Sequence, residues 1–392
     1  MVSWPYWHIR PKTTLHLLED MASAIIDNDD PLLTATAAND SSKVAELLRG
    51  RPFPFSNSAI KQALSWAAIK GHVECIELLA PFADISDRPA ALRRAATCGH
   101  AACVEHLIAM PSAKDDVSQA LLAAATHGRH SCVKLLIPFS DPMHDHSNAL
   151  FLASLNGHAE CVKLLIPVSD PKAKQSRALC FAASNGHVEC VKLLIPASDA
   201  ADYSQALIDA AAFGDIECLR VLIALSDAKA HDSKALRMAT HYGHAECVKL
   251  LIPVSDPLAQ GSAALRDAAR TDDVECLKLL IPVSDPLAQG SEALRCAAEN
   301  DCLDSLLLLL PVSEPTGIHL CAAAEGGNRE CVEILLQNDP SLFDQIDAST
   351  LADNAVAHGR HDLAALLLSL VERRSLANLC PAPSCAPRSC RI

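Results

Sequence analysis

Nine cysteines stand at one recurring spacing along the 392-residue chain: Cys75, Cys103, Cys132, Cys161, Cys190, Cys218, Cys247, Cys276 and Cys331. His72, His100, His158, His187 and His244 each precede one of them by three residues. A His and a Cys three apart share a helical face, so zinc is the first chemistry to consider. A closed tetrahedral site needs four converging ligands. Other copies of the pattern carry Arg129, Asp215 or Asp273 in place of the histidine, so no metal or other cofactor is expected. Catalysis has less to build on. The sequence holds no nucleophile elbow, P-loop or H-E-x-x-H element, and carboxylates such as Asp209 and Asp267 are what any solvated helix face carries. The chain is therefore read as a non-enzyme.

The elements that position these residues are repeats. KLLIPVSDPLAQGS occurs unchanged at 249–262 and at 278–291, an offset of 29. A glycine or a small polar substitute recurs at Asp40, Gly71, Gly99, Gly128, Gly157, Gly186, Gly214, Gly243, Asp272, Asp301, Gly327 and Gly359, which defines about 12 units. Each unit reads as two short helices. Ser176 precedes Ala178, Leu179, Ala182 and Ala183 at helical spacing, and its hydroxyl is expected to cap the first helix. Ser118, Ser147, Ser204, Ser233, Ser262 and Ser291 hold the same place. Gly186 stops that helix, Cys190, Val191, Leu194 and Ile195 form the apolar stripe of the second, and Pro196 ends it. A pair of this size cannot bury its own stripe, so it must stack on copies of itself. Helices stacked about 8–10 Å apart exceed the roughly 7 Å reach of a disulfide. The cysteines are then buried free thiols, which suits a reducing, cytoplasmic compartment.

The pattern A-L-x-x-A-A-x-x-G-H-x-E-C-V-K-L-L resembles the ankyrin repeat, whose core reads T-P-L-H-x-A-A-x-x-G-H followed by an apolar second helix. The resemblance runs over about 340 residues and implies an all-α, ankyrin-like helical solenoid of stacked helix-turn-helix repeats. Two departures stand out. Forms such as Arg177-Ala178-Leu179-Cys180 replace the Thr-Pro-Leu-His entry, and the period is about four residues shorter than the usual 33. The deficit falls after Ile195, so the hairpin finger of the family is expected to be cut to a short loop.

In the ankyrin-like frame, the two residues between Ala-Ala and the glycine are expected to face the concave surface that such stacks use for binding. They vary from unit to unit: Ile69-Lys70, Thr97-Cys98, Thr126-His127, Leu155-Asn156, Ser184-Asn185, Ala212-Phe213, His241-Tyr242, Arg270-Thr271 and Glu299-Asn300. Phe213, His241, Tyr242 and Arg270 have the composition of an interface hot spot. Beside them Arg237, Arg266 and Arg295 lie 29 apart, a basic column serving either a ligand or ion pairs with Asp209, Asp267 or Glu299. The candidate partner-binding residues are Thr126, His127, Leu155, Asn156, Ser184, Asn185, Phe213, His241, Tyr242, Arg270 and Glu299, with Arg237, Arg266 and Arg295 of this column.

Composition narrows the partners. A net charge of −14 disfavours nucleic acid, which is bound by broad basic faces. The longest aliphatic run, Leu306 to Leu310, is far too short to span a membrane. The partner is expected to be a protein, bound by a monomeric scaffold; a delivered effector or inhibitor that sequesters one host or phage enzyme is the alternative reading, and a hidden enzyme the remote one. Residues 1–29, with Trp4, Tyr6 and Trp7, read as an aromatic segment and capping helix, 30–372 as the solenoid, and 373–392 as a disordered Cys/Pro-rich tail. Asp301 and Ser305, in the places of Gly and Cys, read as decay toward a terminal cap.

Overall fold

The computed structural model describes residues 30–49, 55–110 and 113–379, and among these only helices, turns and irregular links occur, with no strand. The described chain forms two compact units, one reaching Ala210 and including Asp215–Ser226, the other taking Ala211–Gly214 and Asp227 onward. The aromatic N-terminal segment 1–29 and residues 380–392 lie outside the described residues, and helix His361–Leu379 runs past position 373, where the tail was expected to begin.

Within the first unit, helix pairs such as Lys114–Thr126 with His130–Leu136, and Ala173–Ser184 with Val188–Leu194, repeat along the chain. First helices pack beside first helices and second beside second. The second unit repeats the plan from Ala230–His241 with Ala245–Leu251 to Ala348–Ala357 with His361–Leu379. The core is thin because its residues are small: Ala182, Ala183, Leu179, Cys190, Val191 and Leu194 are all buried in one pair. Alanine lets the backbones of neighbouring first helices approach, and one leucine per helix fills the layer between them.

The link after each second helix is a short folded loop in place of a hairpin. Leu194 ends the helix, Ile195–Ala197 adds one 3-10 turn around Pro196, and Ser198 is extended. Where the links read Ser-Asp, the aspartate closes a local turn: Asp170 Oδ1 accepts from Lys172 N–H at 3.0 Å, and Asp256 and Asp285 repeat the bond. Three consecutive residues then adopt left-handed backbone, Lys174 (φ 50°), Gln175 (φ 60°) and Ser176 (φ 49°), before the right-handed helix begins. Four further links do the same, at 145–147, 231–233, 260–262 and 289–291.

This geometry corrects the reading of the serines as helix caps. Ser147, Ser176, Ser233, Ser262 and Ser291 are the last left-handed residue of their links, and their side chains are buried. Each Oγ accepts a backbone N–H from the following repeat: Asp170 to Ser147 at 2.8 Å, Asp199 to Ser176 at 3.2 Å, Asp256 to Ser233 at 2.8 Å, Asp285 to Ser262 at 2.9 Å and Glu314 to Ser291 at 3.0 Å. Ser118 accepts from Asp141 in the same way from inside its helix, and Ser204 is the second residue of helix Tyr203–Phe213. The serines tie one rung to the next. Side-chain caps do occur elsewhere: Asp30 accepts from Leu32 N–H and Ser56 from Ala59 N–H.

Candidate partner-binding face

The face in question is built on the last turn of each first helix. That turn ends at a left-handed residue, a glycine at 71, 99, 128, 157, 186, 214 and 243, with φ between 69° and 91°. At the amino end of the chain Asn39, not Asp40, takes this conformation; Asp40 caps the next helix through Lys43 N–H.

A histidine after the glycine does not bond locally, as a helix-start histidine was expected to. His100 Nε2 reaches Ile69 O at 2.8 Å, His158 reaches Thr126 O at 3.0 Å, His187 reaches Leu155 O at 3.0 Å and His244 reaches Ala212 O at 3.1 Å. Each ring thus donates to a carbonyl left open at the end of the preceding first helix. Arg129 does the same to Thr97 O and Asn328 to Ala298 O, which explains why these residues replace histidine without loss. Asp215 and Asp273 cap their own second helices instead, through Cys218 and Cys276 N–H. Burial lowers the His158 pKa, with the Thr126 bond opposing it.

Ser305 and Asp272 are a matched pair. The Asp272 carboxylate, on a left-handed residue, accepts from Ser305 N–H at 2.9 Å and from Ser305 Oγ–H at 2.7 Å, and Ser305 is fully buried. The serine in the cysteine position is therefore a compensated change, not decay.

The candidate binding residues divide into two kinds. In the first unit Thr126 Oγ1 donates to Leu122 O, His127 Nδ1 contacts Ala123 O, Asn156 donates to Leu152 O, Ser184 to Phe181 O and Asn185 to Phe181 O. These side chains close the last turn of their own helices, and Leu155 is half-buried with its carbonyl taken by His187. In the second unit Phe213 is 68% and Tyr242 58% exposed. Tyr242 meets the edge of His241 at 4.9 Å and borders an open recess with Thr271, Asp272, Asp273 and Glu275.

The arginine column is largely engaged by its own neighbours. Arg237 Nε and Arg270 Nη2 approach the two oxygens of buried Asp267 at 3.3 and 2.7 Å. Arg266 donates to Gln260 O, Gly261 O and Gln289 Oε1. Arg295 clamps Glu292 bidentately and reaches Glu299 at 2.7 Å. Its hydrogen bonds hold the Glu292 carboxyl below the usual range and raise the Arg295 pKa. Asp267 and Glu299 were both anticipated as partners; Glu292, Gln260 and Gln289 were not.

The cysteines complete the site's chemistry. Cys103, Cys132, Cys161, Cys190, Cys218, Cys276 and Cys331 are buried free thiols. Burial pushes Cys103, Cys132 and Cys190 up to about 11 and Cys161 and Cys331 up to about 12. Among the described residues no group of three or more His, Cys, Asp or Glu could hold a metal ion, and no helix is long and apolar enough to cross a membrane.

Paired helices stacked rung on rung define an α-helical repeat protein with a side-chain-variable face. The chain belongs to the ankyrin-repeat family: the family model for ankyrin repeats (3 copies) matches residues 92–175, 121–206, 168–234, 207–289 and 236–316, which together cover more than half of the chain. Among solved structures 47 chains match, including the crystal structure of the human ASB11 ankyrin repeat domain, at 27% sequence identity and a TM-score of 0.44 over 50% of this chain and 98% of that one. No curated protein matches. Ankyrin repeats generally mediate protein–protein interaction, and the family is typically non-catalytic.

Proposed function

We propose that this protein is a non-catalytic, monomeric scaffold that holds a protein partner against the ends of its first helices, with Phe213, Tyr242 and Arg270 as anchors. One observation carries the reading. At the position before the left-handed residue, His127, Asn156, Asn185 and Asn300 fold back onto their own helices, whereas Phe213 and Tyr242 stand out into solvent. Two large aromatics exposed where other rungs place self-satisfied polar groups lose apolar hydration only when something covers them. Arg270, exposed and held by Asp267, gives that surface a fixed charge.

Phe213 and Arg270 sit on helices whose last carbonyls are engaged by the next rung, Ala212 O by His244 and Arg270 O by Cys302 Sγ–H, so binding spends little free energy on ordering them. The unpaired buried thiols support function in a reducing, cytoplasmic compartment. Affinity capture from the source lysate on immobilised protein tests the reading: a partner retained by the wild type and lost by a Phe213→Ala, Tyr242→Ala, Arg270→Ala variant supports it. Retention by both, or turnover of a small molecule by the purified chain, contradicts it.

A further inference from the structure

Trp66 and Arg94 hold one place in successive first helices of the first unit, five residues before Gly71 and Gly99. The Trp66 ring is half-exposed, but its indole Nε1 is buried and has no hydrogen-bond partner. An orphaned donor of this kind destabilises the fold and marks a place that an acceptor would complete. Lys70 Nζ lies 5.3 Å from the Trp66 ring centroid. Arg94 Nη1 donates to Ser65 Oγ, one residue before Trp66, and Arg93 stands exposed beside Arg94. Burial, and then the charge of Arg93, lower the Arg94 pKa.

What these cations lack is a carboxylate. Lys61 is paired with Asp87, but Lys70, Arg93 and Arg94 are in no ion pair among the described residues. The second unit solves the same problem internally, because Asp267 stands five residues before its own left-handed residue, Asp272, and takes two arginines. In the rungs that end at Gly71 and Gly99 that place is held by Trp66 and Arg94. Lys70 lies by the Trp66 ring and half-buried Arg94 bonds the residue before it, on a chain whose net charge is −14.

We propose that Trp66, Lys70, Arg93 and Arg94 form a docking site for an acidic segment of a protein partner, one carboxylate of which takes the indole N–H and the Arg94 guanidinium. Guanidinium and indole N–H groups both donate to carboxylates, and Lys70 extends the positive field along the bound segment. A nucleic acid fits the chain less well, because its backbone would be repelled by the acidic surface around so small a basic cluster. The site is separate from the Phe213–Tyr242 anchors and does not depend on them.

Panning the full chain with phage-displayed random dodecapeptides tests the proposal. Enriched peptides should carry Asp or Glu, and Arg94→Gln should weaken them roughly tenfold or more, as expected for loss of a charge-assisted pair. Trp66→Phe, which keeps the ring and removes the N–H, should weaken them also. Arg94→Lys should keep part of the binding and so separates a recognition role from misfolding, with circular dichroism as the check. The Phe213→Ala, Tyr242→Ala, Arg270→Ala variant should bind the same peptides unchanged, so that failure here and failure of the anchors are told apart. Enrichment of neutral peptides, no enrichment, indifference to Arg94→Gln, or tighter binding of a single-stranded RNA would each overturn the assignment.

Discussion

A Cβ added to Gly157 would stand 2.6 Å from Nδ1 of His187, whose Nε2 at the same time holds Leu155 O at 3.0 Å. Glycine here answers two demands at once. The backbone is left-handed at φ 74°, and the next repeat's imidazole lies flat against the space a side chain would fill. Gly71 with His100, Gly128 with His158 and Gly214 with His244 repeat the arrangement. Non-glycine residues also hold the left-handed place: Asn39 is followed in the next repeat by His72, whose Nδ1 contacts Thr36 O at 2.8 Å, and Asp272 is followed by Cys302. The Gly-His dipeptide is a contact between rungs rather than within one.

Gly157→Ala should therefore destabilise the first unit by ~2–4 kcal/mol, combining left-handed strain with the clash. In a double-mutant cycle with His187→Ala, the clash disappears and the strain stays, leaving a coupling of ~1–2 kcal/mol. Denaturant titration measures both. Strict additivity would remove the steric half of the argument.

The buried serines make a second prediction. Ser233→Ala leaves the Asp256 N–H without its acceptor at 2.8 Å and should cost ~1–3 kcal/mol, the desolvation of an orphaned donor. Hydrogen exchange should show faster exchange of the Asp256 amide first. Unchanged protection there would mean that solvent replaces the bond.

These two contacts mark the limit of what the sequence discloses. Helix pairs, stack and family were legible because apolar spacing and the Gly, Pro and Ala-Ala positions report local conformation directly. The roles of Ser176 and His187 were not, since a serine before a helix and a histidine after a glycine look like caps until the neighbouring rung is in place. Nor was Trp66, because the binding face was sought in the two residues before the glycine, and an indole N–H without a partner has no sequence signature. A clue was present in the charges: Arg93, Arg94 and Lys70 have no acids at the matching positions of adjacent units.

The left-handed links carry strain that glycine relieves. Gln175 has φ 60°, and the same place in later repeats is Gly261 and Gly290. Gln175→Gly should stabilise the protein by ~0.5–1 kcal/mol, the relief of L-residue strain exceeding the added chain entropy. A rise in denaturation midpoint at unchanged slope is the expected result, and a fall would mean that the side chain has contacts worth more than the strain.

Thiol titration links burial to pH. The folded-state pKa of Cys103, Cys132 and Cys190 is raised to about 11, above the ordinary value of 9.0. The folded state thus favours the protonated thiol, so its contribution is complete below pH 9 and is lost as pH rises from there through about 11, where the unfolded chain ionises first. Stability should fall across that window, and native protein at neutral pH should react slowly with thiol reagents while denatured protein reacts fully. A Cys103→Ala, Cys132→Ala, Cys190→Ala variant should lose stability less steeply over the same range; an identical slope would assign the alkaline transition to other groups.

The claim that the exposed aromatics are anchors is tested most directly by calorimetric titration of the captured partner. Replacing Phe213, Tyr242 and Arg270 together with Ala should weaken binding by at least ~2 kcal/mol, roughly thirtyfold, with helical circular dichroism and melting nearly unchanged. The control replacement of Lys192, Lys249 and Lys278, exposed on second helices, should change affinity little. If the lysine variant abolishes binding while the anchor variant binds as the wild type does, the binding face has been assigned to the wrong helices.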